Sequence, residues 1–307
     1  MACQICSSLL FCLADWLKNG EDHPLKSTAA LCIGNFCCSS KNCNEVIDQV
    51  APALIDALAS HQAPLVRDVK MQHAILGALR NLTVDPLGRP ALIKAGLIQP
   101  CLTLMAGLSL TPVTQPVVMK LLAIFRLMVD SEAEVTKVLS QDRPEMLSQI
   151  INYSNHEGGG PGPKAESGRL LAGILKNCKS SKGMINVVNL GGLPAVTVML
   201  HSSHPRMLNE ALVALSVLSA SLVSTEPDLV HRHLHTDLVI NGVKRCLNNK
   251  ELPGEIKANA ATLITSLLKT HTSEFKQMLT DLNFVEEWIG ELDSMPQVVQ
   301  DLAKNLQ

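Results

Sequence analysis

Aromatic residues are scarce in this chain, at 3% of its 307 residues, with two Trp and one Tyr. A β-sandwich is enriched in aromatic and β-branched side chains, so this scarcity argues against that fold. Apolar residues nevertheless make up 47% of the chain and charged residues only 18%, a balance that excludes disorder. The core must therefore be built mainly from Leu, Ile, Val and Ala, which suits thin layers of packed helices.

The chain also lacks an excess of basic charge, since its net charge is −2 and its pI is about 6.5. Nucleic-acid-binding proteins are typically basic, so we expect no nucleic-acid partner. No run of about 20 apolar residues is present, and the apolar start at residues 5–17 lacks the basic segment of a signal peptide. We therefore expect no membrane insertion and a cytosolic protein whose ten cysteines are reduced and buried.

Motifs of catalysis and nucleotide binding are missing as well. The glycine-rich stretch at residues 155–164 is not a P-loop, because Lys164 is followed by Ala165 instead of Ser or Thr. Neither G-x-S-x-G nor H-E-x-x-H occurs. We therefore expect no enzyme activity, no catalytic residue and no cofactor, and we interpret residues 155–164 as a flexible surface loop.

Two clusters of metal-ligating residue types have unsuitable spacings. Cysteines at 32, 37, 38 and 43 surround a helix end, but zinc sites prefer two C-x2–4-C pairs. His231, His233 and His235 form H-R-H-L-H in a polar stretch, which favours a solvated segment. The sequence therefore predicts no metal site.

One helical phrase is present in abundance and recurs along the chain. It reads AALCIGNF at 29–36, ILGALRNL at 75–82, LLAIFRLM at 121–128, LLAGILKNC at 170–178, ALVALSVL at 211–218 and ATLITSLL at 261–268. The copies are separated by 46, 46, 50, 40 and 48 residues. Self-similarity at about 40–47 residues is typical of HEAT and armadillo α-solenoids. The phrase predicts an all-α fold without a sheet, an armadillo-type right-handed superhelix of three-helix repeats.

We interpret residues 1–307 as a single array. Its predicted parts are a partial unit at 1–40, units at about 41–85, 86–130, 131–179, 180–223 and 224–271, and a C-terminal cap at 272–307. The array begins in the middle of a unit, and solenoids need polar caps, so we expect a shortened or alternative start.

Helix boundaries follow from turn residues. The predicted early helices are 4–18, 25–38, 41–49, 52–59 and 66–83, with Pro52 in a first turn where its missing N–H is harmless. Gly96 and Gly191 are expected to take the left-handed conformation that ends one helix before the next begins. A polar stretch at 221–235 is expected to interrupt the pattern.

One register of the repeated phrase holds a polar residue. Asn35, Asn81 and Asn177 occupy it, whereas Leu127 and Val217 stand there in two other copies. Asn is a poor helix former, and its amide can both donate and accept hydrogen bonds. We predict that these side chains line a concave groove and bind an extended partner chain, most strongly near Asn35 and Asn81. In the alternative, each Asn bonds only to a neighbouring helix and holds the stack together.

Charged residues extend this hypothesis in two places. Arg80, Arg126 and Lys176 directly precede the Asn register and would give the groove a basic edge. Near the C-terminus, an acidic stretch could attract a basic partner segment or could simply be a solvated cap. Its candidate docking residues are Glu286, Glu287, Glu291 and Asp293.

The repeated phrase A-L-x-N-L, with a glycine-containing turn, resembles the armadillo repeat. Four longer stretches narrow the resemblance: LKSTAALCIGNFCCSSKNC, VKMQHAILGALRNLTVDP, KLLAIFRLMVDSEAEV and NEALVALSVLSA. They are similar to the C-terminal half of the small-GTPase GDP dissociation stimulators of the SmgGDS type, over roughly residues 14–290.

This resemblance implies a cytosolic protein that binds Rho- and Ras-family GTPases with basic, prenylatable tails and stimulates GDP release or escorts the GTPase. The implied protein acts by binding and makes or breaks no covalent bond. The resemblance is also compatible with association of the protein with the endoplasmic reticulum or mitochondria. It also maps the family's Asn-bearing groove onto Asn35 and Asn81.

Other armadillo functions remain as alternatives, chiefly a scaffold or adaptor that binds an extended peptide without exchange activity. A nuclear-import adaptor pairs Trp with Asn four residues apart. Here the residues four before the Asn register are Leu31, Gly77, Ala123, Gly173 and Val213. A catenin-like scaffold would show a broad basic groove, which a net charge of −2 does not favour.

Overall fold

Helices form the fold of the residues that the computed structural model describes, which are 2–38, 40–60, 68–158, 160–286 and 288–306. No strand occurs in those ranges, which confirms the all-α prediction. The α-helices are α1 Ala2–Asn19, α2 His23–Phe36, α3 Ser40–Ser60, α4 Val69–Val84, α5 Arg89–Lys94, α6 Ile98–Ala106, α7 Gln115–Val129, α8 Ala133–Lys137, α9 Pro144–Asn155, α10 Pro161–Asn177, α11 Ser181–Asn189, α12 Leu193–Thr197, α13 Pro205–Leu222, α14 Pro227–Leu234, α15 Asp237–Asn248, α16 Gly254–Leu267, α17 Thr272–Asp281 and α18 Gln297–Leu306.

Short tighter or wider turns link some of these helices. Three 3-10 segments lie at Pro86–Gly88, Val198–His201 and Ile289–Ser294, and a π-helical turn lies at Val138–Asp142. Among the described helices, none is by itself both long and apolar enough to cross a membrane. Only Ser181–Asn189 and Leu193–His201, bent by 90° at their junction, reach that length and apolarity as a pair.

The first of two compact units comprises Met1–Leu170. In it α4 contacts both α2 and α7, and α1 packs against α2 and α3. Ile75, Leu79 and Leu82 of α4 are fully buried, and their spacing of three to four residues places them on one face of the helix. Burial of this aliphatic face explains why a chain with few aromatic residues can form a core.

The second compact unit comprises Leu171–Gln307. Here α16 contacts α13, α15 and α18, and Ser266 of α16 donates a buried hydrogen bond to Ser219 of α13. Trp288 is buried and meets the ring of Phe284 edge-on, whereas Trp16 of the first unit is 41% exposed. The boundaries of the individual repeats within the two units stay a prediction.

Two glycines take the left-handed conformation that their turns require. Gly96 has φ +89° and Gly191 has φ +83°, which confirms the prediction for both residues. Each follows a short helix, α5 or α11, whose last carbonyls receive the turn's N–H groups. The glycines therefore set the sharp change of direction into α6 and α12.

The expected helix break before Pro52 is wrong. A single helix, α3, runs through Pro52, which is exposed. Val50, Leu54 and Leu58 are fully buried on the opposite side, so one apolar face continues across the proline. Burial of that face outweighs the backbone hydrogen bond that proline removes.

The predicted loop at residues 155–164 is shorter than expected. Helix α9 ends at Asn155, and α10 begins at Pro161, so residues 161–164 are helical. Pro161 takes the first helical position, where its fixed φ suits the helix and its missing N–H is not needed. In the stretch at 221–235, α14 adds a short helix with Val230 and Leu234 buried.

The prediction that the cysteines are buried is correct only in part. Among the seven cysteines whose side chains the structure describes, none forms a disulfide bond with another, and Cys37, Cys101, Cys178 and Cys246 are buried. Burial raises the pKa of the Cys101 thiol to about 12, so this thiol stays protonated. Cys12, Cys32 and Cys38 are exposed instead: Cys12 and Cys32 lie on the solvent sides of α1 and α2, and Cys38 follows the end of α2. The side chain of Cys43 lies outside the described residues.

Replacing Gly96 by Ala should lower the free energy of unfolding by about 1–2 kcal/mol, because an L-residue is strained at positive φ. Gly290→Ala is the matched control: both positions have open space for a Cβ, but only Gly96 has a positive φ. Urea unfolding followed by circular dichroism measures both variants. An equal effect of the two substitutions would contradict the conformational explanation.

Candidate functional site

Helices α2, α4 and α7 of the first unit line a cavity of about 320 Å³ together with the start of α10. Small residues on these helices create the space. A Cβ on Gly34 would lie 3.3 Å from the Cα of Ala78, so α2 and α4 approach closely there. The lining side chains that carry polar or charged groups are Asn35, Arg80, Asn81, Lys120 and Glu166. Three of the predicted groove residues, Asn35, Arg80 and Asn81, are therefore brought together.

Asn81 connects two neighbouring helices. Its Nδ2 donates a hydrogen bond of 2.9 Å to the carbonyl oxygen of Gly34, one repeat earlier in the chain. Nη1 of Arg80 lies 3.4 Å from Oδ1 of Asn81, a long contact at the exposed rim. The bond to Gly34 is the arrangement expected if Asn81 holds the stack together. Asn35, by contrast, is exposed to solvent at the cavity wall.

Asn177 lies in the second unit, and its environment differs. Its Nδ2 donates a 2.9 Å bond to the carbonyl of Gly173, four residues earlier in the same helix. This local bond satisfies part of the amide without any neighbouring helix. A partner-binding role for Asn177 stays a prediction.

A half-buried carboxylate organises the basic residues at the end of this groove. Nε of Arg126 donates to Oε2 of Glu166 at 2.8 Å, and Nη1 of Arg169 donates to Oε1 of the same residue at 3.2 Å. These side chains expose only 13%, 15% and 17% of their surface for Arg126, Arg169 and Glu166. Arg126 is therefore committed to an ion pair and contributes less to a free basic edge than the sequence predicts.

Lys120 supplies a basic group that sequence reasoning missed. Its Nζ lies above Gly77, where a Cβ would approach it to 2.6 Å, and donates to the carbonyl of His73 at 3.2 Å. Burial, and secondarily the nearby charge of Arg80, lowers the pKa of Lys120. Burial, followed by the charge of Lys120, also lowers the pKa of His73. The groove thus holds more positive charge than its own acidic residue neutralises.

The site residues that the sequence did not predict differ in whether a local sequence pattern could have revealed them. Glu166 and Arg169 are one helical turn apart, and that spacing could have indicated an ion pair. The pairing of Arg126 with Glu166 spans 40 residues, so no local pattern shows it. Lys120 occupies the space that a side chain at position 77 would fill, and nothing in the repeated phrase marks that contact.

The predicted acidic patch is only partly described. Glu286 and Asp293 are exposed, and Glu286 borders a cavity of about 380 Å³ between α17 and α18. Lys276 lies at the same cavity and donates to the carbonyl of Asn305. Glu287 and the side chain of Glu291 lie outside the described residues. A docking role for this patch stays a prediction.

Comparison with solved structures identifies the fold. A designed armadillo repeat protein for modular peptide recognition superposes with a TM-score of 0.65 over 84% of this chain and 99% of that chain, at 13% identity. A designed armadillo repeat protein in complex with the peptide (KR)4 gives 0.63 over the same shares, also at 13% identity. At such low identity these similarities concern the fold alone.

Comparison with family models and curated proteins identifies relatives of this chain. Residues 185–220 match the model described as Armadillo/beta-catenin-like repeat. The chain is 30% identical over 258 residues to Rap1 GTPase-GDP dissociation stimulator 1-B of Xenopus laevis, covering 82% of this chain and 40% of the relative. It is 27% identical over 292 residues to the GTPase-GDP dissociation stimulator vimar of Drosophila melanogaster, covering 85% and 44%.

The chain therefore spans about two fifths of the length of the curated relatives it matches. The family-model match and the relatives nevertheless agree with each other and with the all-α fold. The resemblance inferred from the repeated phrase is confirmed: this chain is an armadillo-repeat protein homologous to the GTPase-GDP dissociation stimulators.

Proposed function

We propose that this chain binds small GTPases of the Rho and Ras families and stimulates their release of GDP, or escorts them, through the groove between α2, α4 and α7. The observation that carries the proposal is the homology to GDP dissociation stimulators over 82% of the chain. The groove lies inside the stretches that gave this resemblance, and its cavity is open to solvent at Asn35.

Binding alone is sufficient for this activity. A protein that prefers the nucleotide-free conformation of a GTPase shifts the equilibrium toward it and so accelerates loss of GDP. Such a protein needs complementary surface and charge, and no bond is made or broken. We therefore propose a regulator that is not an enzyme and uses no cofactor.

The charge of the groove favours carboxylates and carbonyl oxygens on the bound GTPase surface. Arg80 and Lys120 lie at the cavity, while Arg126 and Arg169 share the single carboxylate of Glu166. A partner carboxylate near Lys120 would relieve its repulsion from Arg80, because opposite charge stabilises the ammonium form. The basic tail of a GTPase fits the acidic surface at Glu286 and Asp293 better than this groove.

A cytosolic location, with association at the endoplasmic reticulum or mitochondria, belongs to the same proposal. The lack of a disulfide bond among the seven described cysteines supports a reducing compartment. A second candidate function is an armadillo adaptor that binds an extended peptide without exchange activity. The exposed amide of Asn35 and the basic groove favour it over a purely structural array.

An excess of the chain should accelerate GDP release from a GDP-loaded, basic-tailed Rho-type GTPase, because the groove stabilises the nucleotide-free form. Fluorescent GDP reports the rate, and size-exclusion chromatography reports the complex. A complex without faster release would favour the escort function. If no Rho- or Ras-family GTPase forms a complex, the proposal fails for this chain.

Asn35→Ala should weaken GTPase binding by about 1–3 kcal/mol while leaving the melting temperature unchanged, since its side chain is exposed to solvent. Asn81→Ala should lower the melting temperature as well, because it removes the bond to Gly34. Asn19→Ala is the control, an exposed Asn at the end of α1 that bonds only locally to Asp15. Calorimetry and thermal unfolding separate the effects. If Asn35→Ala leaves the affinity for the GTPase unchanged, the Asn register has only a structural role.

Glu286→Gln combined with Asp293→Asn should weaken binding of a GTPase that has its basic tail and have no effect on one lacking it. Salt should reduce the affinity of the parent chain more than that of the double variant, since exposed charges are screened. Affinities measured at two salt concentrations with both GTPase forms test this. An equal loss for the tailless GTPase would contradict tail docking.

A further inference from the structure

Helix α14 and the start of α17, in the second unit, bring together residues that the proposed function does not use. His231 projects from α14, His271 precedes α17, and Glu274 lies in the first turn of α17. Nε2 of His231 and Nδ1 of His271 each lie 3.6 Å from the same oxygen, Oε2 of Glu274. Within the described part of the chain, these three residues are the one group of three or more His, Cys, Asp and Glu side chains placed to hold a metal ion, and their ligand atoms lie within 4.8 Å of one another.

The remaining ring nitrogen of each histidine is held by a further residue. Nδ1 of His231 lies 2.9 Å from Nδ1 of His235, and Nε2 of His271 lies 2.9 Å from Oδ1 of Asp228. A metal-bound histidine characteristically donates its other N–H to a carboxylate or another acceptor, which fixes the orientation of the ring. Both histidines already have such a partner: for His231 it is the imidazole of His235, and for His271 it is the carboxylate of Asp228.

The direction of the hydrogen bonds places a lone pair at the centre of the cluster. The hydroxyl of Thr270 donates to the carbonyl of Leu267, so it accepts from Nε2 of His235 at 3.3 Å. Nδ1 of His235 is then the acceptor for the N–H at Nδ1 of His231. This assignment, made from the partners, leaves Nε2 of His231 as an unprotonated nitrogen facing Glu274.

The same reasoning applies to His271. In the neutral imidazole, an N–H at Nε2 that donates to Asp228 leaves the lone pair of Nδ1 directed toward Oε2 of Glu274. With both histidines neutral, two nitrogen lone pairs and a carboxylate oxygen therefore face one another with no donor among them. Such an arrangement is repulsive by itself and becomes favourable when a cation lies at its centre.

We propose that His231, His271 and Glu274 form a binding site for a divalent transition-metal ion of the zinc class, with Asp228 and His235 orienting the two imidazoles. Two imidazoles and one carboxylate are a known ligand set for Zn²⁺. For metal–ligand distances near 2.1 Å in a tetrahedron, ligand atoms lie about 3.4 Å apart, close to the observed 3.6 Å.

Backbone and exposure are compatible with this site. His271 has φ +43°, in the left-handed region, which turns its side chain back toward α14. The two rings are stacked with centroids 4.2 Å apart and planes inclined by 25°. They must rotate apart for both lone pairs to converge on one ion. Their side chains are 33% and 31% exposed, so the remaining coordination positions are open to water.

Titration of the chain with Zn²⁺ in a calorimeter tests the site, after the accessible thiols have been alkylated so that exposed cysteines cannot bind the ion. We expect one site in the parent chain. Glu274→Gln and His271→Asn should each lower the affinity at least tenfold, and Asp228→Ala by about 10–100-fold, as expected for a residue that orients a ligand. Asn is chosen at His271 because it tolerates positive φ.

His233→Gln is the matched control, since His233 lies on the same helix, α14, but outside the cluster; its affinity should equal that of the parent. Circular dichroism checks the fold, and the 68% exposed side chain of Glu274 is not part of the core. Failure of the parent to bind Zn²⁺, or equal affinities of the parent, Glu274→Gln and His271→Asn, would overturn the proposal. The experiment needs no GTPase, so its result is independent of the proposed function.

Discussion

Contact between a helix and its counterpart one repeat further along the chain holds this protein together. Hydrogen bonds between helices show the interval, since Asn81 to Gly34 and Ser266 to Ser219 both span 47 residues. Each helical layer covers only its neighbours, so every helix needs one continuous apolar face to bury. This requirement explains how α3 continues through Pro52, and why mainly aliphatic residues can fill the core.

Close stacking also determines the chemistry of the groove. Gly34 allows α2 to approach α4, and Gly77 leaves the space that the ammonium of Lys120 occupies. The basic groups are thereby concentrated between helices, where burial weakens their solvation and lowers the pKa of Lys120. A surface of this kind gains more from an acidic partner than the same lysine would gain on an open helix.

Repeat periodicity predicts the helices well, because a 3.6-residue apolar pattern and left-handed glycines such as Gly96 are local signals. It also predicts that Asn35 and Asn81 share a surface, since they occupy one register. Periodicity fails at Pro52, because burial of the apolar face of α3 keeps the helix continuous through the proline. Partners such as Arg126 and Glu166, or His231 and His271, lie 40 residues apart in sequence. Periodicity gives that interval but not which side chains meet across it.

The scarcity of aromatic residues has a spectroscopic consequence. The two tryptophans are divided between the two compact units, with Trp16 in Met1–Leu170 and Trp288 in Leu171–Gln307. Trp16 is 41% exposed and Trp288 only 1%, so their emission maxima should differ, the solvated indole emitting at longer wavelength. Replacing either one by Phe would leave a single fluorophore in each protein. The intrinsic fluorescence of this chain can therefore follow the unfolding of each unit separately, without any attached label.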